Sequence, residues 1–275
     1  MGDLTGRVVV VTGASSGIGL AAAEQLARQG HQLAIAGRDP GRLAAAVERV
    51  REAGGRTPDA YRADFAVLDE VRELGKKLRD AYPRIDVLAN NAGLMSHHRS
   101  MTVDGFELTM QVNHLAGFLL AHLLLDSMPT GARLITTASS AARFGELDPG
   151  DLSGSRHRYH RWQAYGSSKQ ANLLFTAEAA RRWSTRGIVA TCFHPGSVST
   201  RFGRGNPLIE AGLRLPVFQS PQSGADTLVW LVEEAGTESG GYYRRRRART
   251  PYRSARDPRV AHRLWDASAE AVGLP

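Results

Sequence analysis

The stretch Thr12-Gly13-Ala14-Ser15-Ser16-Gly17-Ile18-Gly19 decides how this chain folds. Before it, residues 7–12 read Arg-Val-Val-Val-Val-Thr, a nearly unbroken apolar run like that of a strand buried on both faces. After it, residues 17–29 are alanine-rich with apolar side chains at helical spacing, and Gly30 stops them. The stretch is therefore a turn between a buried strand and a helix. Its glycines let the main chain turn tightly and approach a ligand with no Cβ in the way. The start of the helix adds unpaired N–H groups and a partial positive charge. A pyrophosphate suits both features, and the strand-turn-helix context separates this turn from a chance glycine triplet. On this reading Gly13, Ser15, Ser16, Gly17, Ile18 and Gly19 are candidate cofactor-binding residues.

Outward from the turn, short β-rich runs and longer helical ones keep alternating. Strands are expected at 32–36, 61–65, 85–89, 133–138 and 188–193, and helices at 43–53, 68–81, 106–125 and 164–183. Strand-then-helix order argues for a parallel sheet with helices on both faces. The expected fold is α/β: a doubly wound parallel sheet (Rossmann fold) in a three-layer αβα arrangement, as a single domain over residues 1–275. Two polar, glycine- and proline-containing segments, 143–163 and 199–222, interrupt the rhythm. Both follow strands, at the carboxyl edge of the sheet where ligands bind in this architecture, and loops that long are usually functional.

The ordinary hydrophobic share of 42% is enough for a core and argues against disorder. The one cysteine, Cys192, excludes an intrachain disulfide and a four-cysteine metal site, and its apolar surroundings place it in a buried strand. The chain enters its first strand almost at once, and the longest apolar stretch, 115–125, contains His122 and falls short of the ~20 residues a membrane span needs. A cytoplasmic protein with no membrane span is expected. Net charge is +8, with an arginine run from Arg244 to Arg249. No groove-reading motif accompanies that run, so it is expected to be a solvated loop or an anion-attracting rim, with no nucleic acid as partner.

Chemistry gathers at three places. Just past the second strand stands Arg38, where a carboxylate would pair with ribose hydroxyls and select NAD(H). A guanidinium there suits a 2′-phosphate, so NADP(H) is the expected cofactor over NAD(H); Asp39 comes one residue late. Tyr165-Gly166-Ser167-Ser168-Lys169 puts a phenol and an ammonium four residues apart on one helix face. A cation beside the phenol is expected to lower its pKa and make Tyr165 a usable acid/base. Ser139 and Ser140 both close the fifth strand, where a hydroxyl can polarise a carbonyl.

The Gly-x-x-x-Gly-x-Gly spacing after Thr12, together with Tyr165 and Lys169, resembles the short-chain dehydrogenase/reductase family, and the resemblance spans essentially the whole chain. It implies that Asn113, Ser140, Tyr165 and Lys169 are the catalytic set, with Asn113 holding a proton-relay water. It implies that Asn90, Ala92 and Gly93 lie beside the adenine ribose, and Asp64 and Phe65 at the adenine ring. Pro195, Gly196, Val198 and Thr200 resemble the stretch that orients the nicotinamide amide, and Tyr165 and Lys169 also meet the cofactor. The spacing of Ser140 from Tyr165 and the tail 261–270 are similar to the retinol-dehydrogenase-like branch, although the N-terminal anchor of its membrane members is not expected here. The implied activity is hydride transfer between NADP(H) and an alcohol or carbonyl of a small, lipophilic substrate, in a homodimer or homotetramer. Reduction of a C=C bond and a non-catalytic cofactor-binding sensor are the alternatives. His97, His98, His157 and His160 fall in loops near the expected cleft and are read as rim residues, with no metal site.

Overall fold

A computed structural model describes residues 6–156, 158–196 and 219–274. Eight strands form one sheet: β1 (Val8–Thr12), β2 (Gln32–Gly37), β3 (Asp59–Arg62), β4 (Val87–Asn90), β5 (Arg133–Thr137), β6 (Val189–Phe193), β7 (Tyr242–Arg244) and β8 (Arg247–Arg249). Their spatial order is β3-β2-β1-β4-β5-β6-β7-β8. All neighbours are parallel except β7 and β8. The order reverses between β1 and β4, which opens a crevice at the carboxyl ends of those strands.

Two apolar layers sandwich the sheet. One face carries α1 (Gly17–Arg28), α2 (Pro40–Gly54) and α7 (Pro221–Glu233), with Val9, Val11, Leu26, Ile35 and Leu228 in its core. The other carries α3 (Leu68–Ala81), α4 (Leu108–Met110), α5 (Ala116–Leu124), α6 (Arg161–Arg182) and α8 (Pro258–Ala271), packed around Leu88, Phe118, Leu134, Phe175 and Trp265. Strand side chains alternate between these layers, as the period of two requires.

Several boundaries differ from the sequence reading for identifiable reasons. The helix expected at 43–53 starts earlier: Asp39 caps α2 by accepting the Arg42 N–H at 2.8 Å, and Pro40 takes the first helical position. The long helix expected at 106–125 is interrupted by a π turn, Gln111–Leu115, between α4 and α5. Leu108–Ser127 together is long and apolar enough to cross a membrane by length and composition, which the expectation based on 115–125 did not foresee; yet 78% of its apolar window is buried inside the protein, like a core helix. The buried His114 of the π turn bonds Ser268 of α8 at 2.9 Å, tying the C-terminal helix to this break.

The arginine run is not a loop. Arg244 and Arg247 face each other across a β-hairpin whose two turn residues, Arg245 and Arg246, have φ of 52° and 56°. Asn and Gly tolerate that conformation far better than Arg. The turn is held because Arg246 pairs with Asp226 of α7 and its N–H meets Thr227 Oγ1 at 3.3 Å.

Candidate active site

The phosphate turn is built as a cradle. Gly13 has φ of 67° and lies so near the segment after β4 that a Cβ there would come within 2.8 Å of Ala92 Cα. A Cβ on Gly19 would meet the Gly13 carbonyl oxygen at 2.5 Å. Gly37, which the sequence reading missed, is equally constrained, since its Cβ would meet Ser15 Cβ at 2.9 Å. Ser16 caps α1 without a side-chain hydrogen bond, and no acidic residue stands in the first turn. The helix start thus keeps its N–H groups and positive end for an anion, and Ser15, Ser16, Gly17 and Ile18 line it.

Asn91 was also missed, yet it fastens the crevice. Its N–H reaches Thr12 Oγ1 and its Nδ2 the Thr12 carbonyl, both at 3.0 Å, while Thr137 Oγ1 donates to its Oδ1 at 3.2 Å. One side chain therefore joins the ends of β1, β4 and β5. Asn90 is buried and donates to the Gly117 carbonyl at 2.9 Å; its Oδ1 is a buried acceptor without a protein partner. Arg38, 57% exposed on its side chain, stands 3.8 Å from Asp64 across the ends of β2 and β3. These two expected adenosine-side residues are brought together. Phe65 is different: its ring is buried in the core, which leaves only its main chain to face a ligand.

The catalytic candidates converge where β5 ends. Lys169, 2% exposed, donates from Nζ to the Thr137 carbonyl at 2.9 Å, and Asn172 donates to the same oxygen at 3.1 Å. Nζ also lies 5.7 Å from the centre of the Tyr165 ring. A Cβ on Gly93 would sit 3.1 Å from Asn113 Oδ1 and 3.4 Å from Lys169 Nζ, so Gly93 makes room for both. Asn113 accepts the Leu94 N–H at 2.7 Å and donates to the Leu94 carbonyl and to Ser168 Oγ, both at 2.9 Å. Its amide is thus occupied in pinning the segment after β4 to α6.

One expectation, that of a lowered phenol pKa, is corrected by this geometry. The hydroxyl of Ser139 stands beside the Tyr165 phenol and hydrogen-bonds it. Ser139 is extended, with φ of −158° and ψ of 156°, and Ser140 begins the 3-10 turn Ser140–Phe144. Ser139 Oγ also accepts the Ala141 N–H at 3.2 Å, which leaves its proton for the phenol. The phenol pKa is not lowered: burial raises it to about 12, only partly offset by Ser139. Burial likewise pushes the Lys169 ammonium down to about 7. The expectation weighed the cation and left out desolvation of both groups.

Pro195 and Gly196 follow β6, and Gly196 needs its φ of 91° beside Gln219. Val198 and Thr200, and most of the segment 199–222, lie outside the described residues. The other expected loop is organised by Asp151: burial raises its pKa, but N–H groups of Arg156 and Ser155 and the serine hydroxyls outweigh that and hold it near 2. Tyr159 donates to the Ser96 carbonyl at 2.9 Å, and Arg161 meets His97 Nδ1 at 2.9 Å, so the loop closes against the segment after β4. His157 lies outside the described residues, and among those described no three His, Cys, Asp or Glu side chains group as metal ligands. Buried Cys192 is inert, its thiol pushed up to about 12 by desolvation.

A family model for short chain dehydrogenases matches residues 7–207. The chain is 52% identical over 274 residues to the assigned daunorubicin C-13 ketoreductase DnrU of Streptomyces sp. (strain C5), covering 99% of this chain and 94% of that protein. Retinol dehydrogenase 13 of Homo sapiens is 37% identical over 285 residues, covering 98% of this chain and 86% of that one. Among solved structures, a short chain dehydrogenase from Burkholderia cenocepacia J2315 in complex with NADP aligns with a TM-score of 0.71 at 27% identity, over 87% of this chain and 96% of that chain.

Proposed function

The chain belongs to the short-chain dehydrogenase family of oxidoreductases, and from that premise we propose that it is an NADP(H)-dependent reductase of lipophilic ketones in which Tyr165 delivers the proton. The observation that carries the reading is the convergence of Tyr165, Ser139 and Lys169 on the end of β5. The glycine cradle at Gly13 and Gly19 and the open start of α1 suit a pyrophosphate, and Arg38 suits a 2′-phosphate. NADPH, when bound, supplies the hydride to the carbonyl carbon.

The chain's own part is proton delivery and charge placement. A phenol raised to about 12 is protonated at neutral pH and ready to act as an acid. The substrate oxygen takes a place beside the Ser139 and Tyr165 hydroxyls, where Ser139 stabilises the developing negative charge. As the Tyr165 O–H bond breaks and the alcohol O–H bond forms, the phenolate left behind is stabilised by the Lys169 ammonium. Asn113 holds Leu94 and Ser168 in place around this pair. Alcohol oxidation is the same path reversed. The names of the relatives support ketone and alcohol chemistry.

Cofactor choice provides the test. Arg38→Asp removes a charge-assisted phosphate contact and is expected to lower the NADP/NAD ratio of kcat/KM by about tenfold or more. The ratio is read from steady-state kinetics at the NADPH absorbance band with one ketone. An unchanged ratio defeats the assignment of Arg38.

A further inference from the structure

We propose that the mouth of the site grips an extended planar aromatic ketone between Phe144 and Trp162, an inference that rests on the ketone-reductase reading. Among the described residues these are the two large aromatic side chains that stand exposed, at 55% and 47%. Neither belongs to the packed layers on either face of the sheet. Both belong to segments that carry the catalytic hydroxyls. Phe144 ends the short 3-10 turn capped by Ser139. Trp162 lies one helical turn before Tyr165 on α6, and Lys169 lies one turn after it, so indole, phenol and ammonium form one stripe down a single helix face. Helical side chains lean toward the N-terminus, which places the indole outward of the phenol.

The two ring-bearing segments are packed together. A Cβ on Gly145 would lie 2.7 Å from the Gly166 carbonyl, the Glu146 N–H reaches Ser167 Oγ at 3.0 Å, and Gln163 Nε2 reaches Glu146 Oε2 at 2.6 Å. Each ring is also oriented without being buried. The Arg143 guanidinium lies 4.4 Å from the Phe144 ring centre and that of Arg161 lies 5.9 Å from Trp162. Arg161 is itself held by His97 on the segment after β4. A guanidinium covers part of each ring and leaves the remaining surface to a ligand. Flat aromatic partners gain stacking that an alkyl chain does not, worth about two- to tenfold in affinity per ring.

The test uses acetophenone, 2-acetylnaphthalene and 2-acetylanthracene, the same methyl ketone on one, two and three fused rings, with cyclohexyl methyl ketone as the non-planar reference. kcat/KM is expected to rise with ring number, through KM. Trp162→Leu keeps apolar area but removes the ring, and should lower the ratio of kcat/KM for 2-acetylanthracene over cyclohexyl methyl ketone about tenfold, with Trp162→Phe recovering most of it. A ratio unmoved by Trp162→Leu, or no dependence on ring number, overturns the grip while ketone reduction itself stands. If no ketone turns over, the reductase reading fails separately. Fluorescence titration of the protein with 2-acetylanthracene then decides the grip: about tenfold weaker binding in Trp162→Leu supports it, and equal binding overturns it.

Discussion

Lys169 is a cation taken out of water with a carbonyl, not a carboxylate, as its hydrogen-bond partner in the fold. Its folded pKa of about 7 lies below the ordinary 10.5, so between those values the unfolded chain binds the extra proton. Stability attributable to this residue therefore rises with pH from about 7 upward, and the full desolvation penalty is felt below 7. Lys169→Met should raise Tm at pH 6 by roughly 5 °C, with the gain shrinking toward pH 10, while reductase turnover collapses. A lower Tm at pH 6 in that variant would contradict the account. The same titration governs chemistry in the unmodified protein: as pH rises through about 7 the amine loses its charge and stabilises the departing phenolate less, so kcat for reduction should fall.

At the scale of elements, the decisive feature is where β5 stops and the 3-10 turn starts. Ser139 is still extended and bonds the phenol, and Ser140 has already turned. Ser139→Ala is accordingly expected to lower kcat for ketone reduction about a hundredfold, and Ser140→Ala far less. The opposite ranking in steady-state kinetics would return the role to Ser140. Sequence reading could not separate two adjacent hydroxyls, because the choice depends on backbone angles beyond the strand. It did find β1, the glycine turn and α1, where an apolar run, Gly13 and Gly30 leave little choice. The α2 start was legible in principle from Asp39-Pro40, an N-cap followed by a proline at the first helical position. The π turn at Gln111–Leu115 has no local signature, since its residues suit an α-helix equally. β7 and β8 were hidden because each is only three residues long, too short to show a period, and the edge strand β8, Arg247–Arg249, carries charged residues rather than an apolar run.

At the scale of the molecule, seven parallel strands bring the described candidate groups that follow them to one edge. β1 and β4 bring the cradle and Asn91; β2 and β3 bring Arg38 and Asp64; β5 brings Ser139, and the Thr137 carbonyl that receives Lys169. This convergence made the site largely legible before the fold was known, since residues that follow successive strands meet at the same edge. Desolvation was not legible, because the burial of Lys169 and the partial burial of Tyr165 arise only once α6 packs against β5. The most direct test is Tyr165→Phe, which removes one oxygen and keeps the ring. NADPH consumption with 2-acetylnaphthalene should fall by a factor on the order of 10³ or more, while NADPH binding measured by fluorescence stays within about twofold. A variant that reduces the ketone at the parent rate would contradict the assignment of Tyr165 as proton donor.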